Sequence, residues 1–202
     1  MTRVTKAAAE RQQEIVATAR KIFVEKGFDD AQISDIAKEM NVAHGLVYHY
    51  FKSKTELLYA VIDELAKEHM AEAQKRIAKS KGTTRECIET LLADKETDGK
   101  KKYEKLFSSL MANQGVLEYL KRTMILSTSP VLLSLIERGN TDGSWNCKYP
   151  KETADFIIQG MSGIMNTAGS DFKEDAENKV IFTDIIMRLL GAGQAEEEEK
   201  ER

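Results

Sequence analysis

Apolar side chains along this chain recur at helical spacing, and the sharpest case lies near the amino end. Ile33, Ile36, Ala37 and Met40 fall at i, i+3, i+4 and i+7, a single stripe on a helix of about two turns. Ala37 is small enough to let a second helix cross closely. Asn41 follows where the chain has to turn, and asparagine accepts left-handed backbone better than other non-glycine residues. Val42 anchors that turn, and a second short helix is predicted from about His44 to Phe51. Helices crossing at a wide angle through so short a turn form a helix-turn-helix, whose second helix reads a DNA major groove.

The flanks extend the unit. Ile15, Ala19, Ile22 and Phe23 give the apolar face of a preceding helix, with Gly27 as its carboxyl-terminal cap. Ser53-Lys54-Thr55-Glu56 reads as a capping box, the serine accepting from the helix start and the glutamate reaching back. It opens a long helix with Leu57, Leu58, Val61, Ile62 and Leu65 on one face. Three helices and a connecting helix therefore follow one another directly.

Beyond this unit the pattern stays helical. Thr83-Thr84-Arg85-Glu86 is another capping box, leading into Ile88, Leu91 and Leu92, and Asp98-Gly99 marks a turn. Tyr103, Leu106, Phe107 and Leu110 repeat helical spacing to an end near Gln114-Gly115. Val116 to about Ile136 reads as helix, with Pro130 interrupting or kinking it. Residues 139–144, GNTDGS, are predicted to be a loop. Pro150 suits the first position of a helix to about Ala168, 169–171 break it, and a last helix runs from about Lys173 to Leu190. The expected fold is all-α: a DNA-binding domain over 1–52, a helical regulatory and dimerisation domain over 53–192, and an acidic, disordered tail over 193–202.

Composition adds limits. With 202 residues, 42% apolar and 31% charged, the chain can bury a sizeable core. No apolar run reaches membrane-spanning length, and the first residues lack the apolar stretch of a secretory signal, so a cytoplasmic protein is expected. Cys87 and Cys147 stand far apart without a CxxC, as buried thiols would. Residues 1–54 hold nine Lys and Arg against seven Asp and Glu, and Arg3 and Lys6 precede any acid. Such a weak positive balance argues against bulk DNA packaging and for specific contacts by a few residues. No nucleophile–base pairing, metal-ligand spacing or phosphate-binding loop is found, so no enzyme, metal or cofactor is expected.

Gly27-Phe28, Ile33-x-x-Ile36-Ala37, Val42-x-x-Gly45-x-Val47-Tyr48-x-Tyr50-Phe51 and Ser53-Lys54-x-x-Leu57-Leu58 together resemble the tetracycline-repressor (TetR/AcrR) family of bacterial transcription regulators. The likeness covers roughly residues 10 to 65. It departs at Ala31, Gln32, Ala43 and Leu46, where hydroxyl residues are usual, and at Asn41, where glycine is usual. Those departures remove expected helix caps and a phosphate contact. The resemblance implies a homodimer in which the last two helices of each subunit make a four-helix bundle. It also implies a pocket for a small-molecule effector in the helical domain, and a Tyr48 hydroxyl on a DNA phosphate.

Candidate DNA contacts are Gln32, Ser34, His44, Gly45, Leu46, Tyr48, His49 and Lys54. His44 stands at the helix start, where side chains reach base edges, and Leu46 suits a thymine methyl. Gly45 either admits the backbone close to DNA or is a packing glycine. Lys54 lies in the first turn of a helix, where an anion is favoured. Tyr103, Phe107, Met111, Met124, Trp145 and Met161 either line a pocket for an apolar or aromatic effector or belong to the core. Ile157, Gly160, Met161, Ile164, Phe182, Ile185, Ile186 and Leu189 either form the dimer interface or close the monomer core, with Gly160 and Gly163 admitting another helix.

The expected function is a dimeric, ligand-responsive repressor that binds double-stranded operator DNA and no membrane. Two alternatives are a DNA-binding dimer without an inducer, and a helical interaction protein whose helix-turn-helix is only structural.

Overall fold

The computed structural model describes residues 7–79, 82–92, 106, 110, 113–167 and 176–191, with the side chains of 92, 164–167 and 176–179 outside the description. The described residues form eight α-helices and no strand: α1 (Ala8–Lys26), α2 (Ile33–Glu39), α3 (His44–Tyr50), α4 (Lys54–Lys79), α5 (Thr84–Leu92), α6 (Gln114–Asp142), α7 (Pro150–Thr167) and α8 (Ala176–Leu189). Two compact units divide the chain, Met1–Ala66 with Glu96–Thr123, and Lys67–Lys95 with Met124–Arg202.

The first unit is built on the apolar stripes read from the sequence. Ile15, Ala19 and Phe23 of α1, Ile36 and Ala37 of α2, Val47 of α3 and Leu57, Leu58, Val61 and Ile62 of α4 are all buried in one core, joined by Leu106, Leu110 and Val116. Truncating a residue as enclosed as Ile36 to alanine costs about 2–5 kcal/mol, through lost burial and the cavity left behind. Gly27 ends α1 at φ 84, its N–H donating to the Phe23 carbonyl at 2.9 Å. Asn41 takes φ 53, and the Val42 N–H reaches back to Ala37 O at 2.9 Å, closing α2 in the six-to-one pattern of a Schellman turn. That turn points α3 across α2.

Helix starts in this unit are also capped by side chains. Gln32 stands where a hydroxyl residue is usual, yet the Asp35 carboxylate accepts from the Gln32 N–H at 3.0 Å, the reach-back half of a capping box at the start of α2. At α4, Ser53 Oγ accepts from the Glu56 N–H at 3.0 Å, while the Glu56 carboxylate accepts from the Lys52 N–H at 2.6 Å, one residue earlier than the box predicts. Tyr119 of α6 stacks on Tyr59 with ring centroids 4.0 Å apart, and its hydroxyl donates to both Asp63 oxygens at 3.0 Å. Burial first, then the Asp63 carboxylate, raises the Tyr119 hydroxyl above its ordinary 10.0.

The second unit packs Cys87 and Ile88 of α5 with Leu132, Leu135 and Ile136 of α6, Ile157 and Ile158 of α7, and Ile186 and Met187 of α8. Both cysteines are buried free thiols. The Thr83 box forms as read, with Glu86 N–H on Thr83 Oγ1 at 3.3 Å and Thr83 N–H on Glu86 at 2.9 Å.

Helix α6 departs from the sequence expectation at both ends. Asn113 caps its start, Oδ1 accepting from Val116 N–H at 3.2 Å, so Gln114 and Gly115 open a helix rather than close one. Pro130 lies inside it without ending it. At the far end α6 runs on through Gly139–Asp142, and the chain turns only at Gly143, φ 78. Tertiary packing overrides the loop-forming composition there. Trp145 lies against Gly139 and donates from Nε1 to Ile136 O at 2.9 Å, and Asn140 holds the Cys147 backbone through two hydrogen bonds of 2.9 and 2.8 Å.

Arg3, Lys6, the 98–99 turn, Tyr103, Phe107, Met111, the 169–171 break, the Ile164 side chain and the 193–202 tail lie outside the described residues.

Candidate nucleic-acid interface

Helix α3, HGLVYHY, is held to the core through Val47, which is fully buried, and is followed by the equally enclosed Phe51. A helix turns by about 100° per residue, so anchoring one side leaves the opposite arc to solvent. Gly45, Tyr48 and His49 occupy that arc and are exposed, His44 is exposed at the helix start, and Leu46 and Tyr50 are half-buried. The His44 ring meets Tyr48 edge-to-face at 5.0 Å, and His49 meets Tyr50 at 5.2 Å. The helix carries no acidic residue.

Gly45 answers a question the sequence leaves open. A Cβ built on it would meet no atom within 4 Å, so no packing within the chain requires a glycine there. Glycine inside a helix costs up to about 1 kcal/mol against alanine. The bare backbone at this point faces outward.

The acids of α2 are neutralised from α1. Lys21 pairs with Glu39 at 2.6 Å and Lys26 with Asp35 at 2.9 Å. The Lys26 hydrogen bond, helped by the Gln32 backbone, holds the Asp35 carboxyl below its usual range, and the Lys21 bond does the same for Glu39. The face beside α3 is thereby cleared of unpaired negative charge from α2, and Lys38 and Lys52 are exposed.

The remaining candidates divide. Gln32 and Ser34 are exposed at the start of α2, with Ser34 Oγ donating to Gln32 Oε1 at 3.3 Å. Lys54 is half-buried, and its ammonium turns inward. It donates to the carbonyls of Asp29 at 3.1 Å and Ala31 at 2.8 Å and sits 4.4 Å from the centroid of the Phe28 ring.

In the second unit, three predicted dimer residues change place. Ile157 and Ile186 are buried in the chain's own core and Met161 packs against it, because α7 and α8 turn these faces inward. What they expose instead is Phe156, Val180, Ile181, Ile185 and Leu189, with Gly160 and Gly163 alongside and Phe182 half-buried. Cβ atoms at either glycine would meet nothing within 4 Å. Phe156, Val180 and Ile181 were not singled out by sequence, since apolar spacing gives two faces without saying which one the monomer covers.

Of the predicted effector residues, Trp145 is a core residue, 3% exposed and pressed on Gly139, and Met161 lies against the same core. Met124 is half-buried. Tyr103, Phe107 and Met111 lie outside the described residues. A cleft of about 210 Å³ lies elsewhere, lined by Gln74, Ile77 and Ala78 of α4 and Pro130, Val131, Ser134 and Leu135 of α6. No described helix is long and apolar enough to cross a membrane.

A family profile described as "Bacterial regulatory proteins, tetR family" matches residues 15–61. The HTH-type transcriptional regulator HbdR of Aromatoleum sp. (strain CIB) is 32% identical over 72 residues, 36% of this chain and 31% of that protein. An HTH-type transcriptional regulator of Staphylococcus aureus (strain USA300) is 40% identical over 57 residues, 28% of this chain and 31% of that protein. The matched stretch thus spans about a third of these curated relatives. The crystal structure of RolR in complex with resorcinol superposes with a TM-score of 0.64 at 17% identity, covering 94% of this chain and 93% of that one, which shows a shared fold. Over residues 15–61, the helix-turn-helix segment, the chain is similar to the tetR family of bacterial regulatory proteins.

Proposed function

We propose that this chain is a dimeric, effector-responsive transcription regulator, acting in the cytoplasm as a repressor at an operator. Its head is residues 1–52 and its helical body 53–192. The observation that carries the reading is Gly45: a helix anchored through Val47 presents bare backbone flanked by His44, Tyr48 and His49. A helix-turn-helix with a purely structural role has no use for a glycine that packs against nothing. His44 and Leu46 read base edges, and the Tyr48 hydroxyl, His49, Gln32 and Ser34 approach phosphates.

Two copies are needed because one short helix gives little affinity, and paired heads must stand about 34–36 Å apart to enter successive major grooves. The exposed Phe156, Val180, Ile181, Ile185 and Leu189 supply an apolar surface of the kind soluble monomers seldom leave uncovered. Gly160 and Gly163 allow a partner helix to approach it. The effector is a small apolar or aromatic molecule bound in the body; the similar fold of RolR is described in complex with the ligand resorcinol. It acts by favouring one separation of the heads over another.

The test is an electrophoretic shift with the DNA upstream of its own gene. A retarded complex competed by the same duplex and not by an unrelated one is expected. No shift at any concentration returns the helix-turn-helix to a structural role.

A further inference from the structure

We propose that Lys54 is a positioning residue, which fixes the start of α2 to the first turn of α4, and not a phosphate ligand. The proposal rests on the reading that α3 enters DNA. An ammonium has three donors and no acceptor. Here it donates to the carbonyls of Asp29 and Ala31, in the segment between α1 and α2, and lies over the Phe28 ring. Those carbonyls stand outside any helix and need donors. Phe28 is itself set edge-to-face on Phe23 of α1 at 5.5 Å.

The chain of contacts continues into the reading unit. Ala31 is buried, the next residue's N–H is held by Asp35, and Asp35 pairs with Lys26 at the end of α1. The start of α2 is therefore tied to α1 through Lys26 and to α4 through Lys54. Helix α3 follows α2 through the closed turn at Asn41 and Val42, so whatever sets α2 also sets α3. The Lys54 donors point into the protein.

Lys54→Met keeps the stem on Phe28 and removes the ammonium. Amide exchange in the free, full-length chain and titration with two duplexes, the DNA upstream of its own gene and an unrelated one, separate the possibilities. Exchange at Gln32 and Asp35 should quicken, by about tenfold for the loss of charge-assisted bonds. Affinity for the upstream duplex should fall by about tenfold, that for the unrelated duplex should hold, and the salt slope should not change. Unchanged exchange at both amides overturns the proposal. So does a slope smaller by about 0.9 with equal weakening on both duplexes, which is the mark of a lost phosphate contact. If the wild-type chain binds no duplex, the regulator reading fails, and the exchange result alone decides whether Lys54 holds α2.

Discussion

The indole of Trp145 occupies the space that a side chain at Gly139 would need: a Cβ there would fall 1.9 Å from the ring's Cε2. Gly139→Ala should therefore displace the ring and its bond to Ile136 O, costing about 1–3 kcal/mol as other overpacked core substitutions do. Trp145 is the chain's single tryptophan, so its fluorescence reports the change directly. An unfolding midpoint equal to the wild type's, with unshifted emission, would remove Trp145 from the core.

Gly45 makes the opposite prediction. With open space around its Cβ, Gly45→Ala should leave thermal stability unchanged or raise it by up to about 1 kcal/mol. Affinity for the upstream duplex should nevertheless drop, because the methyl group holds the backbone away from the groove. A variant that binds as well as wild type shows that the glycine does not face DNA.

Ile185→Glu places a charge on the exposed face of α8. A substitution at such a site alters monomer stability by about 0.5 kcal/mol or less. Sedimentation should show the variant as single chains at concentrations where the wild type is dimeric. Its melting temperature should also lose any dependence on concentration. A variant that remains dimeric moves the interface elsewhere.

The helix-turn-helix was legible because its elements are local. Ile33, Ile36, Ala37 and Val47 announce their buried faces by spacing, and Asn41 and Gly27 sit where the backbone needs a positive φ. What escaped depends on partners distant in sequence. Nothing about residues 139–142 alone reveals that Trp145 and Cys147 fold back to support a further helical turn. Spacing places Ile157 and Phe156 on a helix without fixing which faces the core, and the position of Lys54 in a first helical turn suggests an anion ligand, whereas its ammonium meets the Asp29 and Ala31 carbonyls. The Asp35 cap on Gln32 has a weak sequence signal, because glutamine is not among the residues that favour a helix start.

Acid should loosen the head. Asp35 and Glu39 are held below their ordinary values of 3.8 and 4.5 by hydrogen bonds from Lys26 and Lys21. Carboxyls depressed in the folded state contribute stability that is complete above those ordinary values and lost as pH falls through them toward the folded ones. Lys21 runs the other way, raised above 10.5 by Glu39, so its share is present below that value and lost as pH climbs past it. Circular dichroism melts from pH 7 to 3 should show a falling midpoint below about 4.5, and a smaller fall for Asp35→Asn with Glu39→Gln. Parallel curves for the two proteins would show that these pairs add nothing.

The most direct test of the whole account is the stoichiometry of the complex with the upstream duplex, read by sedimentation over a range of salt concentrations. Two chains per duplex are predicted, with an association constant that falls steeply as salt rises, because Lys and Arg groups on the heads displace counterions from phosphates. One chain per duplex, or an affinity indifferent to salt, would contradict it.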